Sequence, residues 1–205
     1  MPARRIRVTR GGIGTNTMRI LIVFATVAGH ARTLAEFAAE RLRQIGHEVG
    51  VCDAVQADPL DPAGFDRALL IASLHLGRFP PAFVAFARKH HAALNALPSA
   101  LVCVSLSAAG DNAADRGGLR DCVERLQRDT QWHAAAVYHV AGAMLFRSYG
   151  RFTRLAIGFI ARRRGMSVAL GEDYDLTNYA AFAAFIEQFV SGPIAPAPTQ
   201  AELAS

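Results

Sequence analysis

Five short apolar runs, separated by segments of helical periodicity, constrain the fold of this chain more than any other feature. The first run, Arg19–Ala25, is continuously apolar, as a strand buried on both faces of a parallel sheet should be. The other predicted strands are Glu48–Cys52, Arg67–Ala72, Ala100–Leu106 and a strand within Ala134–Ala143. This alternation predicts an α/β three-layer sandwich with a five-stranded parallel sheet. Because the most apolar strand should be central, the predicted strand order is 2-1-3-4-5.

Helices of ordinary length lie between these strands. The predicted helices are Gly29–Gln44, Pro81–Ala96, Leu119–Thr130 and Asn178–Ser191. The composition favours a single packed domain, because 52% of the 205 residues are hydrophobic and only 19% are charged. The three cysteines are widely spaced and form no CxxC pair, which favours reduced thiols over a disulfide framework. No pair of His, Cys, Asp or Glu residues has the spacing of a metal site, so no metal is predicted.

The net charge of +5 is concentrated in two segments. Residues 1–17 carry four arginines and residues 146–165 carry six, and neither segment contains an acidic residue. The two segments therefore carry +4 and +6, and the rest of the chain carries −5. A nucleic-acid groove would need basic residues on several elements of the fold, so this distribution disfavours a nucleic-acid partner.

The same distribution suggests how the chain is divided. We expect residues 1–17 to form a disordered basic extension, unless the true start is Met18. Residues 18–192 are predicted to form the folded domain. Residues 193–205 are rich in Pro and Ala and are predicted to form a flexible tail.

The segment after the first strand, Thr26–Thr33, is small, bears hydroxyl groups and leads directly into a helix. Backbone N–H groups at a helix N-terminus bind phosphate well, and Gly29 permits close approach of the backbone. The segment lacks the GxxxxGK[ST] and GxGxxG motifs, which disfavours a P-loop nucleotide and a nicotinamide dinucleotide. A phosphate site and an ordinary strand-to-helix turn both stay open from spacing alone.

A series of segments, in order along the chain, resembles one family. Ile22–Gly29, followed by Leu34 and Ala35, resembles the FMN-phosphate loop of flavodoxins. The further matching segments are Ile71–Gly77, Leu94–Ala100, Gln131-Trp132, Val140–Ala143 and Tyr174–Tyr179. Together they resemble the flavodoxin-like, quinone-dependent protoporphyrinogen IX dehydrogenases of the menaquinone type. The resemblance extends from about Met18 to Val190 and implies a flavodoxin-like fold.

The resemblance implies FMN as the cofactor and three loops as its binding site. The phosphate loop would comprise Thr26, Val27, Ala28, Gly29, His30, Ala31 and Thr33. The loop along the isoalloxazine would comprise Ser73, Leu74, His75, Gly77 and Phe79. The loop along the pyrimidine side would comprise Ser107, Ala108, Gly110 and Asn112. No side chain is predicted to act as a catalytic acid or base.

Two positions depart from the phosphate loop of the family. A threonine usually stands where this chain has Ala31, and Asn or Gln usually stands where it has His30. The missing hydroxyl contact would weaken phosphate binding by about 1–2 kcal/mol if nothing replaced it. Thr33 and His30 are the predicted replacements.

A basic segment, about Phe146–Glu172, separates this chain from a plain flavodoxin and is predicted to be a helical insert after or within strand five. Apolar residues recur at helical spacing from Phe152 to Ile160, and every charge in residues 146–165 is an arginine. The residues assigned to membrane or substrate contact are Arg147, Arg151, Arg154, Phe159, Arg162, Arg163 and Arg164. The pattern favours peripheral contact of residues 146–165 with an anionic membrane, and a helix packed on the body with solvated arginines is the alternative. The arginines also suit the propionates of a porphyrinogen.

The resemblance implies an oxidoreductase that uses FMN to oxidise protoporphyrinogen IX to protoporphyrin IX in haem biosynthesis. Electrons would pass to a respiratory quinone, and the protein would lie peripherally at the cytoplasmic side of the inner membrane. The alternatives are a flavodoxin-type electron carrier and another FMN-dependent quinone or tetrapyrrole reductase. Electron-carrying flavodoxins are usually acidic around the flavin, so the arginine-rich segment favours the enzyme. The sequence predicts no particular oligomeric state.

Overall fold

The computed structural model describes residues 17–57, 60–105, 113–144 and 174–192. The strands of its main sheet are β1 (Arg19–Ala25), β2 (Glu48–Asp53), β3 (Arg67–Ser73), β4 (Ser99–Ser105) and β5 (Ala136–Ala141). The helices are α1 (His30–Gln44), α2 (Pro81–Lys89), α3 (His91–Ala96), α4 (Ala113–Thr130) and α5 (Tyr179–Ser191), with a 3-10 turn at Pro62–Gly64. Neighbouring strands are parallel, and their order β2-β1-β3-β4-β5 confirms the prediction.

Alternating side chains of β1 divide the core into two layers. Ile20, Ile22 and Phe24 pack with buried residues of α1 and α5 on one face of the sheet. Leu21 and Val23 pack with buried residues of α2, α3 and α4 on the other face. The central strand is therefore covered on both sides, which holds the loop that follows it in a fixed place at the edge of the sheet.

Two helices differ from their predictions. The predicted helix Pro81–Ala96 is divided into α2 and α3, because His90 adopts φ −108° and ψ 14° and leaves the helical conformation. No glycine or proline marks this break, so the periodic pattern runs through it. Helix α4 begins at Ala113 instead of Leu119, because the helix continues through a Gly-Gly pair that resembles a helix breaker in the sequence.

A small second sheet follows the end of β5. Strand β6 (Ala143–Met144) pairs in antiparallel fashion with β7 (Tyr174–Asp175). The segment between these two strands, 145–173, lies outside the described residues, as do 1–16 and 193–205. The predicted membrane or substrate residues Arg147, Arg151, Arg154, Phe159, Arg162, Arg163 and Arg164 fall in that segment. Their roles stay predictions, but the segment follows β5 and does not interrupt it.

Within residues 17–57, 60–105, 113–144 and 174–192, no helix combines the length and the apolar character needed to cross a bilayer.

Candidate functional site

The loop between β1 and α1 is folded by its own backbone and one hydroxyl group. Gly29 adopts φ +97°, a left-handed conformation that glycine accepts without steric cost. Its N–H donates to Oγ1 of Thr26 over 2.8 Å, which closes the turn. The hydroxyl of Thr26 acts here as an acceptor, so its hydrogen stays available to a ligand. A tight turn thus delivers the chain into α1 with its N–H groups directed along the helix axis.

The N-terminus of α1 has the donors of an anion site. No side chain caps it, and no acidic residue stands in its first turn. The N–H groups of His30 and Ala31 have no acceptor within the helix, whereas those of Arg32 and Thr33 donate to the carbonyl of Gly29 at 3.0 and 3.3 Å. A Cβ atom built on Gly29 would meet no atom within 4 Å, so a ligand can approach the backbone there. These donors and this space fit a phosphate monoester such as the phosphate of FMN.

The side chain of His30 is hydrogen-bonded to a residue that is distant in the sequence. Its buried side chain places Nε2 2.8 Å from Oγ1 of Thr177. The hydroxyl of Thr177 donates to the carbonyl of Ala141 over 3.0 Å, so Nε2–H of His30 is the donor in the first bond. The predicted replacement of the missing threonine hydroxyl therefore does not come from Nε2 of His30. Thr33, the other predicted replacement, is exposed, so its hydroxyl group is accessible to a ligand.

The electrostatic setting of His30 keeps its ring neutral near pH 7. Burial lowers the pKa of His30, and the carboxylate of Asp175, with Oδ1 3.8 Å from Nε2, offsets part of that shift. Burial opposes ionisation of Asp175, but hydrogen bonds from Tyr179 and Thr177 outweigh it and lower the pKa of this carboxyl group. Burial, followed by its bond to Asp175, raises the pKa of Tyr179 to about 12. The ring of His30 thus brings no positive charge to the phosphate loop, and its Nε2–H donates to Thr177.

Positive charge next to the loop comes from Arg32, which was not among the predicted site residues. Its guanidinium lies 3.5 Å from Oδ2 of Asp53 and over the ring of Phe24, 5.3 Å from the ring centroid. The signal was present in the sequence, because this arginine directly follows Ala31 at the start of the predicted helix. Thr177 was also missed, and no local pattern could reveal it, since it lies 147 positions from His30.

The loop after β3 is a two-residue hairpin. His75 and Arg78 exchange backbone N–H···O=C bonds in both directions, each 3.0 Å long. Leu76 and Gly77 between them have φ +50° and +70°, the positive values of a type I′ turn. A leucine in this conformation is strained, and its side chain is 89% exposed. The hairpin therefore presents an apolar side chain at its tip.

The predicted isoalloxazine residues take different positions around this hairpin. Ser73 and Leu74 are half-buried, while His75 and Gly77 are exposed. Phe79 is only 9% exposed and stacks on Phe83 with ring centroids 5.5 Å apart, a placement that favours a packing role. Leu76, which the sequence did not single out, is the exposed apolar side chain of this loop.

The two described loops lie at the same edge of the sheet, because β1 and β3 are neighbouring parallel strands. The third predicted loop, with Ser107, Ala108, Gly110 and Asn112, follows β4 and lies outside the described residues. Across the part of the chain that the structure describes, no three His, Cys, Asp or Glu side chains converge as metal ligands.

Known proteins resemble this chain over most of its length. The sequence profile of the family described as "Flavodoxin domain" matches residues 21–168. This chain belongs to the flavodoxin-domain family. The order of its sheet and the loop after β1 agree with that family. The fold neighbours of this flavodoxin-domain chain include a short-chain flavodoxin associated with a bacterial microcompartment. The two share a TM-score of 0.52 and 13% identity, covering 85% of this chain and 97% of the other.

Curated relatives of this flavodoxin-domain chain share one name. A protein of Leishmania major named protoporphyrinogen IX dehydrogenase (quinone) is 28% identical over 192 residues, covering 91% of this chain and 80% of that protein. A protein of the same name from Escherichia coli strain K12 is 25% identical over 171 residues, covering 83% of this chain and 94% of that protein. The resemblance inferred from the sequence motifs is thereby confirmed.

Proposed function

We propose that this chain is an FMN-dependent oxidoreductase that converts protoporphyrinogen IX to protoporphyrin IX and passes the electrons to a quinone. The observation that carries the proposal is the shared name of two relatives from very different organisms, aligned over 91% and 83% of this chain. The geometry supports it, because the uncapped N-terminus of α1 suits the phosphate of FMN. The activity would serve haem biosynthesis.

In this proposal the redox chemistry belongs to the bound FMN, which supplies an acceptor for the hydrogens of the substrate. Each oxidation step removes a pair of hydrogen atoms from the macrocycle and reduces a quinone to a quinol. The protein itself binds and orients the cofactor and the substrate. The N–H groups of His30 and Ala31 and the hydroxyl of Thr26 would hold the phosphate, and the hairpin tip at Leu76 would cover apolar surface of the ring system.

The proposed site of action is the cytoplasmic face of the inner membrane. Six arginines without any acid in residues 146–165 suit the surface of an anionic bilayer, where a membrane quinone is within reach. Replacing Arg162, Arg163 and Arg164 by Ala should release the protein from phosphatidylglycerol vesicles in a co-sedimentation assay. Replacing Arg4, Arg5 and Arg7 by Ala is the matched control and should weaken binding less, since residues 1–17 lack the apolar helical pattern of residues 152–160. Undiminished binding of the first variant would contradict the membrane contact.

The test of the enzymatic proposal begins with the absorption spectrum of the purified protein, which should show a bound flavin. The apoprotein should bind FMN much more tightly than riboflavin, since riboflavin lacks the phosphate that the α1 N-terminus would hold. The loaded protein should then generate protoporphyrin fluorescence from protoporphyrinogen IX when a soluble naphthoquinone is present. An FMN-loaded protein without turnover would overturn the enzymatic proposal and favour a flavodoxin-type electron carrier.

A further inference from the structure

A basic groove lies between α2 and α4, beside the second loop and apart from the phosphate site. Its volume is about 690 Å³, and it extends from Gly77 in the hairpin to Arg88 on α2 and Asp129 on α4. The residues that line it on each helix recur at helical spacing, so a single face of α2 opposes a single face of α4. The groove therefore runs along α2 and α4, starting at the hairpin, which lies at the carboxyl ends of the strands.

The floor of this groove is apolar. Phe79 and Leu126 are buried beneath it, and Val84 is half-buried on its α2 side. The rest of the lining includes Pro81 and Ala85, which carry no polar side-chain atoms. Such a floor suits the face of a broad hydrophobic molecule, because each carbon atom removed from water there contributes to binding.

The rim of the groove is positively charged. Arg78, Arg88 and Arg125 line it, and Asp129 is the single acidic residue among the lining side chains. The ion pairs between described side chains involve other arginines, so Arg78 and Arg125 have no carboxylate partner among those side chains. Arg88 uses Nε to donate to the backbone carbonyl of Asp129 over 2.9 Å, which leaves its terminal NH₂ groups for other acceptors. An arginine fork is suited to a carboxylate.

The groove also shares a wall with the loop assigned to the flavin ring. Sγ of Cys122 donates to the carbonyl of Gly77 over 3.2 Å, so α4 supports the hairpin directly. A Cβ atom on Gly77 would lie 3.7 Å from that sulfur, which indicates close packing between hairpin and helix. One end of the groove therefore lies directly beside the loop assigned to the flavin ring.

We propose that this groove binds a broad, apolar dicarboxylate, with Arg78 and Arg125 as the partners of the two carboxylates. Resting on the proposed function, we identify this ligand as the tetrapyrrole, whose two propionates complement the charged rim and whose macrocycle covers the floor. The charge of the groove, three arginines against one acid, supports this occupant. The arginines of residues 146–165 then serve the membrane and not the substrate carboxylates.

The first test is equilibrium binding of protoporphyrin IX to the FMN-loaded full chain, followed by fluorescence anisotropy at low salt. The double variant Arg78→Ala, Arg125→Ala should raise the Kd about five- to twentyfold, since each exposed ion pair contributes a few-fold in affinity. Arg128→Ala is the matched control, because Arg128 is also an exposed arginine of α4 but does not line the groove. Val84→Glu keeps the arginines and places a carboxylate beside the floor, and it should weaken binding as well.

The second test is turnover of protoporphyrinogen IX by the same variants. The double variant should raise KM and leave kcat unchanged, since these arginines bind and do not react. If the double variant and Val84→Glu both showed normal turnover with unchanged Kd and KM, the groove would not be the tetrapyrrole site. The proposed function would be unaffected by that result. Loss of vesicle binding by the double variant with an unchanged porphyrin Kd would assign the groove to a lipid headgroup and would also overturn its assignment to the tetrapyrrole. Groove-dependent porphyrin binding without any turnover by the wild type would instead overturn the proposed function and keep the groove.

Discussion

The loop after β1 and the loop after β3 lie at the same edge of the sheet but offer a ligand different chemistry. The first presents backbone N–H groups and a helix N-terminus, and the side chain of His30 is turned to Thr177 instead. The second presents a strained hairpin with Leu76 exposed at its tip. One loop is thus suited to an anion and the other to an apolar surface, as the two ends of a flavin mononucleotide require.

The two loops should therefore tolerate substitution differently. Where the ligand is bound by main-chain groups, side chains can change as long as the backbone keeps its conformation. The family threonine can therefore be replaced by Ala31, whose methyl group is fully buried in the core. Where the ligand meets a side chain at the tip of a turn, both the side chain and the turn geometry matter.

Replacement of Phe79 should change stability most, and it shows whether this ring belongs to the cofactor site or to the core. Phe79→Ala should reduce the free energy of unfolding by about 3 kcal/mol, because the ring is buried against Phe83. Urea unfolding of the wild type and the variant measures this loss. Phe79→Leu should cost less and leave FMN affinity unchanged. If that milder variant kept its stability but lost FMN, the ring would belong to the cofactor site.

The next prediction concerns the loop after β1, where the backbone conformation of Gly29 should matter for stability and for FMN binding. Gly29→Ala should lower the free energy of unfolding by about 1–2 kcal/mol, since φ +97° is unfavourable for any residue with a Cβ atom. The affinity for FMN should fall with it, measured by fluorescence titration of the apoprotein. Gly64→Ala is the control, because a Cβ atom there also meets nothing within 4 Å and its φ is not positive. Equal behaviour of the two variants would contradict a conformational role for Gly29.

A substitution in the hairpin after β3 should have a smaller effect and should increase stability. Leu76→Asn should raise the free energy of unfolding by about 0.5–1 kcal/mol, because Asn-Gly is the favoured pair of a type I′ turn. The same change removes the exposed apolar side chain, so FMN should bind less tightly. Thermal unfolding of the apoprotein and FMN titration measure the two quantities separately. A variant that is more stable and binds FMN equally well would remove Leu76 from the site.

The smallest effect tests the neutral state of His30. Because burial lowers its pKa below the usual 6.5, the unfolded chain binds more protons than the folded one as the pH falls below that value. The wild type should therefore lose stability on acidification from pH about 6.5, and His30→Gln should lose less. Burial also lowers the pKa of His47 and His139, so the comparison uses the difference between the two unfolding curves at each pH. A pH-independent difference would contradict the prediction.

Much of the fold could be predicted because a strand that is buried on both faces of a sheet has a continuous run of apolar residues. The run Arg19–Ala25 has the bounds that were predicted, and the central place of β1 follows from its apolar character. The turn between that strand and α1 could also be predicted, because a short segment of small and hydroxyl-bearing residues joins the strand to a helix. The break at His90 could not be predicted, since the residues around it keep the helical period of apolar positions.

The layers and the strand order follow from the sequence alone, because they depend on local periodicity and on which strand is most apolar. The sequence did not predict that His30 bonds to Thr177, that Phe79 packs in the core or that arginines of α2 and α4 line one groove. Each of these depends on contacts between residues distant in the chain. Such contacts arise when the crossovers place separate elements side by side, and no local pattern of residues records them.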